Sequence, residues 1–289
     1  MRNKFLITGA NGQLAKAFIS QLTDAKKEVS SFTKEQLDIS NYNAVIKIAK
    51  DIKPDYIINC AAFNYVDATG EEYDTAFEIN TNGVKNLALS SKEIDAFLVH
   101  FSTDFVFDGK KDGLYTEEDL PHPVNPYGQS KLEGERILKE VGADYLLLRT
   151  SWVFGDGRQN FLYKLSQWAA KADVLKVTAN HVSVPSYSED IARVTLLALE
   201  AKLKWLYHLC NSGYASRYEL ARQYYESMGI EKVIIPVPDT YFKEKVQRPY
   251  FTAMSNAKIS HDLNITIPDW RDGVNRFCEQ MKEGKYARF

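Results

Sequence analysis

Lys4-Phe5-Leu6-Ile7-Thr8-Gly9-Ala10-Asn11-Gly12-Gln13-Leu14-Ala15-Lys16-Ala17-Phe18-Ile19 decides how the rest of the chain is read. An apolar run breaks into glycines and resumes at helical spacing, which predicts strand, turn and helix. In such a unit Gly9 permits the tight turn and Gly12 lets the backbone approach a pyrophosphate. The helix that follows offers unpaired N–H groups and the positive end of its dipole to that anion. Ala15, where many such loops have a third glycine, is small enough for close helix–strand packing. The candidate nucleotide contacts here are Gly9, Asn11, Gly12, Gln13 and Leu14. A glycine-rich strand–helix turn without a ligand has the same local pattern, so the remaining chain must discriminate.

Working outward, residues 29–33 form a plausible second strand, and the residue after it separates NAD from NADP. Thr33-Lys34 carries no acid there, which suits a 2′-phosphate better than a bare ribose; a solvated surface lysine is the competing reading of Lys34. In Leu37-Asp38-Ile39, Asp38 either accepts a hydrogen bond from an adenine amine or helps cap the helix that begins near Ser40-Asn41. The run Tyr56-Ile57-Ile58-Asn59-Cys60-Ala61-Ala62 reads as a strand buried on both faces, and small Ala61 and Ala62 leave room for a cofactor. A helical pattern from about Glu71 to Ala88 includes Asn80, followed by strands at 97–103 and 145–150. Strands and helices alternating at this spacing predict an α/β fold, a doubly wound, Rossmann-like parallel sheet.

Beyond residue 150 the regularity loosens. A helix is expected from Asn160-Phe161 to about Ala172, a strand at 174–177, a loop at 183–187, a helix from Ser188 to about Leu203 and a strand at 205–209. Shorter elements complete the chain: a helix at 217–228, a strand at 233–236 and a final helix after Pro268. Residues 1–150 are accordingly read as the nucleotide-binding domain and 151–289 mainly as a smaller C-terminal substrate lobe. Residues 174–209 are expected to return to the sheet, with the cleft between the lobes as the active site. Trp168, Trp205, Tyr224 and Tyr225 are read as core.

A second motif bears chemistry. In Asn125-Pro126-Tyr127-Gly128-Gln129-Ser130-Lys131 at a helix start, Tyr127 and Lys131 fall at i and i+4 on one face. An ammonium beside a phenol is expected to lower the phenol pKa toward the range useful for proton transfer. Tyr-x-x-x-Lys also occurs on ordinary surface helices. Ser102 and Thr103, at the carboxyl end of a central strand, sit where open α/β sheets bind ligands, or else simply close a turn.

The bulk composition narrows the function classes. The 289 residues are 45% hydrophobic with a formal net charge of −2, so no basic surplus points to nucleic acid or to an anionic membrane. Met1-Arg2-Asn3-Lys4 before Phe5-Leu6-Ile7 is too short an apolar lead for a signal-peptide core or a membrane span, and the expected location is cytoplasmic. Cys60, Cys210 and Cys278 are far apart and read as free thiols, and the five histidines show no metal-ligand spacing.

Thr8-Gly9-x-x-Gly12, Asn59-x-Ala61-Ala62, Ser102-Thr103-Asp104 and Tyr127-x-x-x-Lys131 together occur in the order and spacing of the extended short-chain dehydrogenase/reductase family. More narrowly, Gly12-Gln13-Leu14, the stretch from Ser102 to Gly109, the stretch from Arg149 to Gly155 and the Arg248-Pro249 loop resemble the dTDP-4-dehydrorhamnose reductases over essentially the whole chain. The resemblance implies reduction of the C4 ketone of a dTDP-6-deoxy-4-hexulose, giving dTDP-L-rhamnose, with hydride from NADPH, NADH being possible. It assigns Tyr127 as proton donor to the C4 alkoxide. Lys131 would lower the tyrosine pKa and bind the nicotinamide ribose, and Thr103 would bond the reacting oxygen. It places Asp104, Trp152, Asn160 and Arg248 against a nucleotide-sugar substrate, Arg248 at its phosphates; core aromatic, helix cap and surface cation are the alternative readings of the last three. It also admits a homodimer.

Two departures fall in the substrate lobe. Relatives commonly read Asp-Gln-x-Gly-x-Pro-Thr where this chain has Asn180-His181-Val182-Ser183-Val184-Pro185-Ser186, and the Arg-Pro loop ends in Tyr250-Phe251-Thr252-Ala253-Met254 rather than Ser-x-Leu. Both put the exact sugar in doubt and leave the redox residues intact. The first helix carries Ala15-Lys16-Ala17 where some relatives use an acid in a metal-linked dimer, so no metal is expected. The rival readings are a sugar-nucleotide epimerase or dehydratase, against which Phe105 replaces a catalytic Glu, and a non-catalytic, nucleotide-binding regulatory subunit.

Overall fold

The computed structural model describes residues 4–68, 70–242 and 246–286; Met1 to Asn3, part of the lead read above, lie outside them. The first half runs β1 (Lys4–Thr8), α1 (Gln13–Asp24), β2 (Glu28–Phe32), α2 (Tyr42–Ile52), β3 (Tyr56–Asn59), α3 (Glu71–Phe77), α4 (Gly83–Glu93), β4 (Phe97–Thr103), α5 (Pro126–Val141) and β5 (Tyr145–Thr150). The second half adds β6 (Val153–Phe154), α6 (Phe161–Ala169), β7 (Val174–Thr178), β8 (Val182–Ser183), β9 (Ser186–Tyr187), α7 (Ser188–Glu200), β10 (Trp205–His208), β11 (Ala215–Ser216), α8 (Arg217–Met228), β12 (Val233–Val237), α9 (Ala257–Leu263) and α10 (Trp270–Lys282).

Six strands form one sheet in the order β10-β5-β4-β3-β1-β2, every pair parallel. The sheet is covered on both faces, which explains the near-continuous apolar runs of its strands. Phe5, Ile7, Ile58, Val99, Leu146 and Leu148 pack toward Ala15 and Phe18 of α1 and Ile191 and Val194 of α7. Leu6, Ile57, Leu98 and Leu147 turn the other way, toward Val45 of α2, Leu87 of α4 and Leu138 of α5. The strand order reverses between β1 and β3, so the chains leaving their carboxyl ends turn to opposite faces and open a crevice, the position where such sheets bind ligands.

Several expectations need correction. The helix expected across 71–88 is interrupted by a π turn at Glu78–Asn82, a feature frequent at functional sites because it re-aims side chains. Of residues 174–209, α7 and β10 return to the main sheet, but β7 pairs with β12 in a separate two-stranded sheet. The expected loop at 183–187 carries two short strands, β8 paired with β11 and β9 paired with β6. Tyr224 and Tyr225 are core, whereas Trp205 is 55% exposed, because β10 is the sheet edge, and Trp168 is exposed as well. A second apolar cluster, including Phe154, Leu165, Tyr187, Tyr224, Trp270 and Phe277, forms the core of the C-terminal half. All three cysteines are free. Among the described residues no helix is long and apolar enough to cross a membrane, and no group of three His, Cys, Asp or Glu is placed to hold a metal.

A buried ion pair ties α5 to the sheet. Arg149 of β5 donates through Nε and Nη2 to the two carboxylate oxygens of Glu135 at 2.9 and 2.8 Å, and Ser102 Oγ donates to the same carboxylate at 2.5 Å. The two side chains are 2% and 0% exposed. Removing one partner of such a pair leaves an uncompensated buried charge, typically costing about 3–5 kcal/mol. Arg149→Met is therefore expected to lower the thermal midpoint by roughly 10 °C in a chain of this size, and a compensating Glu135→Leu in the same chain should recover most of it. A calorimetric midpoint for Arg149→Met alone within about 2 °C of the parent would contradict this role.

Candidate active site

The glycine turn builds a cradle. Gly9 has φ +68°, and a Cβ there would come within 2.8 Å of the Ala61 backbone nitrogen, so only glycine lets the β1 and β3 ends approach this closely. Gly12 N–H donates to Gly9 O at 2.8 Å, and Gly12 caps α1 without any side-chain acceptor, leaving first-turn N–H groups for an anion. Thr8 Oγ1 donates to Asn59 Oδ1, which also accepts from Ala61 N–H, fixing the floor of the crevice.

A cleft of about 520 Å³ runs from this cradle across the sheet edge. Its walls include Gly9, Asn11, Gly12, Gln13, Leu14, Lys34, Asp38, Ile39, Ala61 and Ala62, and farther along Thr103, Asp104, Tyr127, Lys131, Trp152 and Arg248. Asp38 does not cap α2: its carboxylate accepts from Ser40 N–H and Oγ, and Asn41 is the cap. Asn80 and Asn160 are not cleft residues. Asn80 bonds the backbone of Phe63 through both its amide atoms and donates to Ser130 Oγ, bracing the cleft wall from behind. Asn160 caps α6 and spends its amide on Gln13 Oε1, Gly155 O and Gly157 O. The cap reading of Asn160 is the one the geometry supports. Gln13 in turn donates to Val153 O, tying the turn to the chain after β5.

Helix α5 delivers Tyr127 and Lys131. Asn125 accepts from Gly128 N–H as N-cap, and Pro126 occupies the first turn, where its missing N–H costs nothing. Lys131 is 3% exposed and donates through Nζ to Phe101 O at 2.6 Å. Burial pushes its pKa down to about 8, against the opposing pull of Glu135. Burial also dominates Tyr127, whose phenol is pushed up to about 12; its hydrogen bond with Thr103 pulls the other way and the Asp104 charge adds to the rise. Desolvation thus works against the expected acidification of the phenol by its neighbouring lysine, whose ammonium is anchored on a strand carbonyl. The Tyr127 ring meets Phe105 edge-on at 5.7 Å.

Asp104 is 1% exposed and accepts from Thr252 Oγ1 at 2.5 Å, Ser183 Oγ at 2.7 Å and Thr103 Oγ1 at 3.1 Å. Burial raises its pKa while those hydrogen bonds and Arg217 oppose the rise. Its carboxylate also lines the cleft, and the three hydroxyls on it fix its orientation there.

The far wall carries Trp152 at φ +40°, an uncommon backbone state for a bulky residue. The Arg217 guanidinium lies 3.5 Å from the centre of the Trp152 ring system and 4.9 Å from that of Phe161. Burial, with help from the like charge of Arg248, lowers the pKa of Arg217 to about 9. Sequence reading missed Arg217, taking it only as the start of α8. The signal available was a cation in a first helical turn, where the dipole disfavours it. Arg248 lies at the cleft, and its Nη2 donates to both carboxylate oxygens of Asp67 at 2.9 and 2.8 Å. Its loop is tied to α5, since Asn125 Nδ2 donates to Gln247 O at 3.1 Å. Lys16, on the first helix, pairs with Asp156.

Residues 3–283 match the family model described as RmlD substrate binding domain. Among curated proteins, the chain is 34% identical over 277 residues to the spore coat polysaccharide biosynthesis protein SpsK of Bacillus subtilis, covering 96% of this chain and 97% of that protein. It is 34% identical over 281 residues to a dTDP-4-dehydrorhamnose reductase of Aggregatibacter actinomycetemcomitans, covering 93% and 96%. Among solved structures, the dTDP-4-dehydrorhamnose reductase of Bacillus anthracis in complex with NADP superposes with TM-score 0.93 at 32% identity, covering 97% of this chain and all of that one.

The cradle generates a binding prediction. Gly9→Ala forces a side chain into the left-handed region and against the Ala61 backbone, and fluorescence titration is expected to show at least about tenfold weaker NADPH binding. Unchanged affinity would place the dinucleotide elsewhere.

Proposed function

The chain belongs to the RmlD substrate-binding-domain family, and from that premise we propose that it reduces the C4 ketone of a nucleotide-linked 6-deoxy-4-hexulose. The substrate is dTDP-4-dehydro-L-rhamnose, the product dTDP-L-rhamnose, and the reductant NADPH. The observation that carries this reading is the placement of the half-buried phenol of Tyr127 with Thr103 and Lys131 in the same cleft as a glycine cradle fit for a pyrophosphate.

When bound, the nicotinamide supplies the hydride; the rest of the work falls to side chains. The Gly9–Leu14 turn and the α1 N-terminus would hold the pyrophosphate, Lys34 would meet the 2′-phosphate, and Asp38 with Ile39 would flank the adenine end. Lys131, held by Phe101 O, would present its buried amine toward the ribose. As the carbonyl carbon accepts hydride, its oxygen becomes an alkoxide and takes the phenolic proton of Tyr127, so that ketone, hydride and proton sum to the alcohol. A phenol kept protonated is the state this step requires. Arg217 and Arg248 supply positive charge for the substrate diphosphate, with Asp67 releasing Arg248 as the phosphate takes its place.

Water elimination is disfavoured by the carboxylates available. Among the described residues, those lining the cleft are Glu35 and Asp38, at the nucleotide end, and Asp104, whose oxygens already accept three hydroxyls. Phe105, where a dehydratase resemblance would need an acid, packs on the Tyr127 ring.

Incubation with NADPH and dTDP-4-dehydro-L-rhamnose should consume the nicotinamide absorbance stoichiometrically with product. Tyr127→Phe should lower kcat by about a hundredfold or more while leaving NADPH affinity within about twofold, the signature of a lost proton donor. No oxidation with this or related 4-keto sugars would instead favour a nucleotide-binding subunit, and a loss of NADPH binding in Tyr127→Phe would make Tyr127 structural.

A further inference from the structure

Three strand ends at the floor of the cleft are joined through their side chains as well as their backbones. The register sets Thr8 of β1 beside Asn59 of β3, and Asn59 beside His100 of β4. The three residues are 0%, 2% and 1% exposed. Thr8 Oγ1 donates to Asn59 Oδ1 at 2.7 Å, and Asn59 Nδ2 lies 3.0 Å from His100 Nδ1. Alternation along the strand puts His100 on the face of β4 that carries Leu98 and Ser102, the face that α5 covers.

The direction of the protons in this row follows from one backbone group. Ala61 N–H can only donate, and it meets the Asn59 side chain at 3.1 Å. The atom it meets is therefore the amide oxygen, which leaves the amide nitrogen, a donor, facing His100. His100 Nδ1 is then an acceptor without a proton, and the ring is the neutral tautomer protonated at Nε2. An imidazolium would set two donors against each other across the same 3.0 Å. His100 Nε2 is buried and has no hydrogen-bond partner among the described residues, so among them the ring bonds through Nδ1 alone.

We propose that His100 is a positioning residue for the dinucleotide: its Nδ1 lone pair fixes the Asn59 amide and, through it, the Ala61 and Ala62 wall of the cofactor cleft. This inference rests on the reading of the cleft as a dinucleotide site. With the acceptor in place, Asn59 Oδ1 faces Ala61 N–H and holds the β3 end against the glycine turn, where a Cβ on Gly9 would come within 2.8 Å of the Ala61 nitrogen. Without it, a buried amide donor is left unpaired, and the amide gains nothing by keeping its oxygen toward Ala61. The residue after His100, Phe101, holds Lys131 Nζ through its carbonyl. One strand end thus orients the cradle on one side and anchors the lysine of α5 on the other.

Nitrogen NMR of labelled histidine, with His100 assigned through His100→Asn, reads the tautomer in the parent protein without cofactor. The Nε2-protonated neutral ring is expected at neutral pH; a proton on Nδ1 overturns the proposal. His100→Leu keeps much of the bulk and removes the acceptor, and its NADPH dissociation constant should rise about tenfold, the loss appearing in KM for NADPH with kcat within about threefold. His100→Asn places an amide oxygen near the position of Nδ1 and should bind NADPH within about threefold of the parent, a rescue that a merely space-filling ring would not show. Parent-like affinity in folded His100→Leu overturns the proposal. If His100→Leu does not fold, His100→Asn decides, and its failure to fold, or a tenfold loss of affinity in it, overturns the proposal. A parent protein that binds no NADPH overturns the dinucleotide reading itself, an outcome distinct from parent binding that is indifferent to His100.

Discussion

Helix α5 lies so close to β4 and its surroundings that two of its positions admit nothing larger than glycine. A Cβ on Gly128 would sit 2.2 Å from Phe105 O, and one on Gly134 would sit 2.3 Å from Asn80 O. That approach lets Lys131 reach the Phe101 carbonyl and Glu135 reach Ser102 and Arg149. The π turn at Glu78–Asn82 belongs to the same contact, since Asn80 and Thr81 both bond Ser130 of α5. Tyr127 is thereby held over the end of β4 at the edge where the sheet order reverses. The site follows from this docking more than from any single residue in it.

The docking also decides the protonation state. An ammonium four residues along a helix suggests an acidified phenol, yet the docking strips water from both groups, wholly from Lys131 and partly from Tyr127, and that loss shifts each. Tyr127 rises and Lys131 falls, each toward its neutral form. For a reductase that must hand over a proton, a retained phenolic proton is the useful state. The buried Arg149–Glu135 pair supports the same region without entering the cleft, with His208 Nδ1 facing Tyr115 O and its pKa driven down to about 3 by burial and by Arg149.

The central sheet was legible because strands buried on both faces leave continuous apolar runs, and the glycine cradle because its backbone demands particular residue types. That Tyr127, Lys131 and Thr103 share one cleft with residues from Gly9 to Ala62 was legible for the same reason: each sits at a fixed offset from a strand end. What escaped notice depends on partners distant in sequence. Arg217 enters the cleft only because α8 starts against Trp152, and Asn160 leaves it because Gln13 claims its amide. Likewise β7 has the pattern of a sheet strand, but its neighbour, β12, comes some sixty residues later and forms a separate ladder. Local pattern named these elements correctly and could not say what they would face.

The substrate lobe is the part in which this chain goes its own way, with Ser183 and Thr252 fastened to Asp104 and Arg217 stacked on Trp152. Those changes leave the cradle and the phenol intact, so hydride delivery to C4 is the claim on which the account stands. Reaction with NADPH deuterated at the transferable position, followed by NMR of the sugar nucleotide, tests it most directly. The account predicts one deuterium, at C4 of a 4-hydroxy product. Deuterium at another carbon, or its return to the cofactor with no net reduction as an epimerase would give, would contradict it.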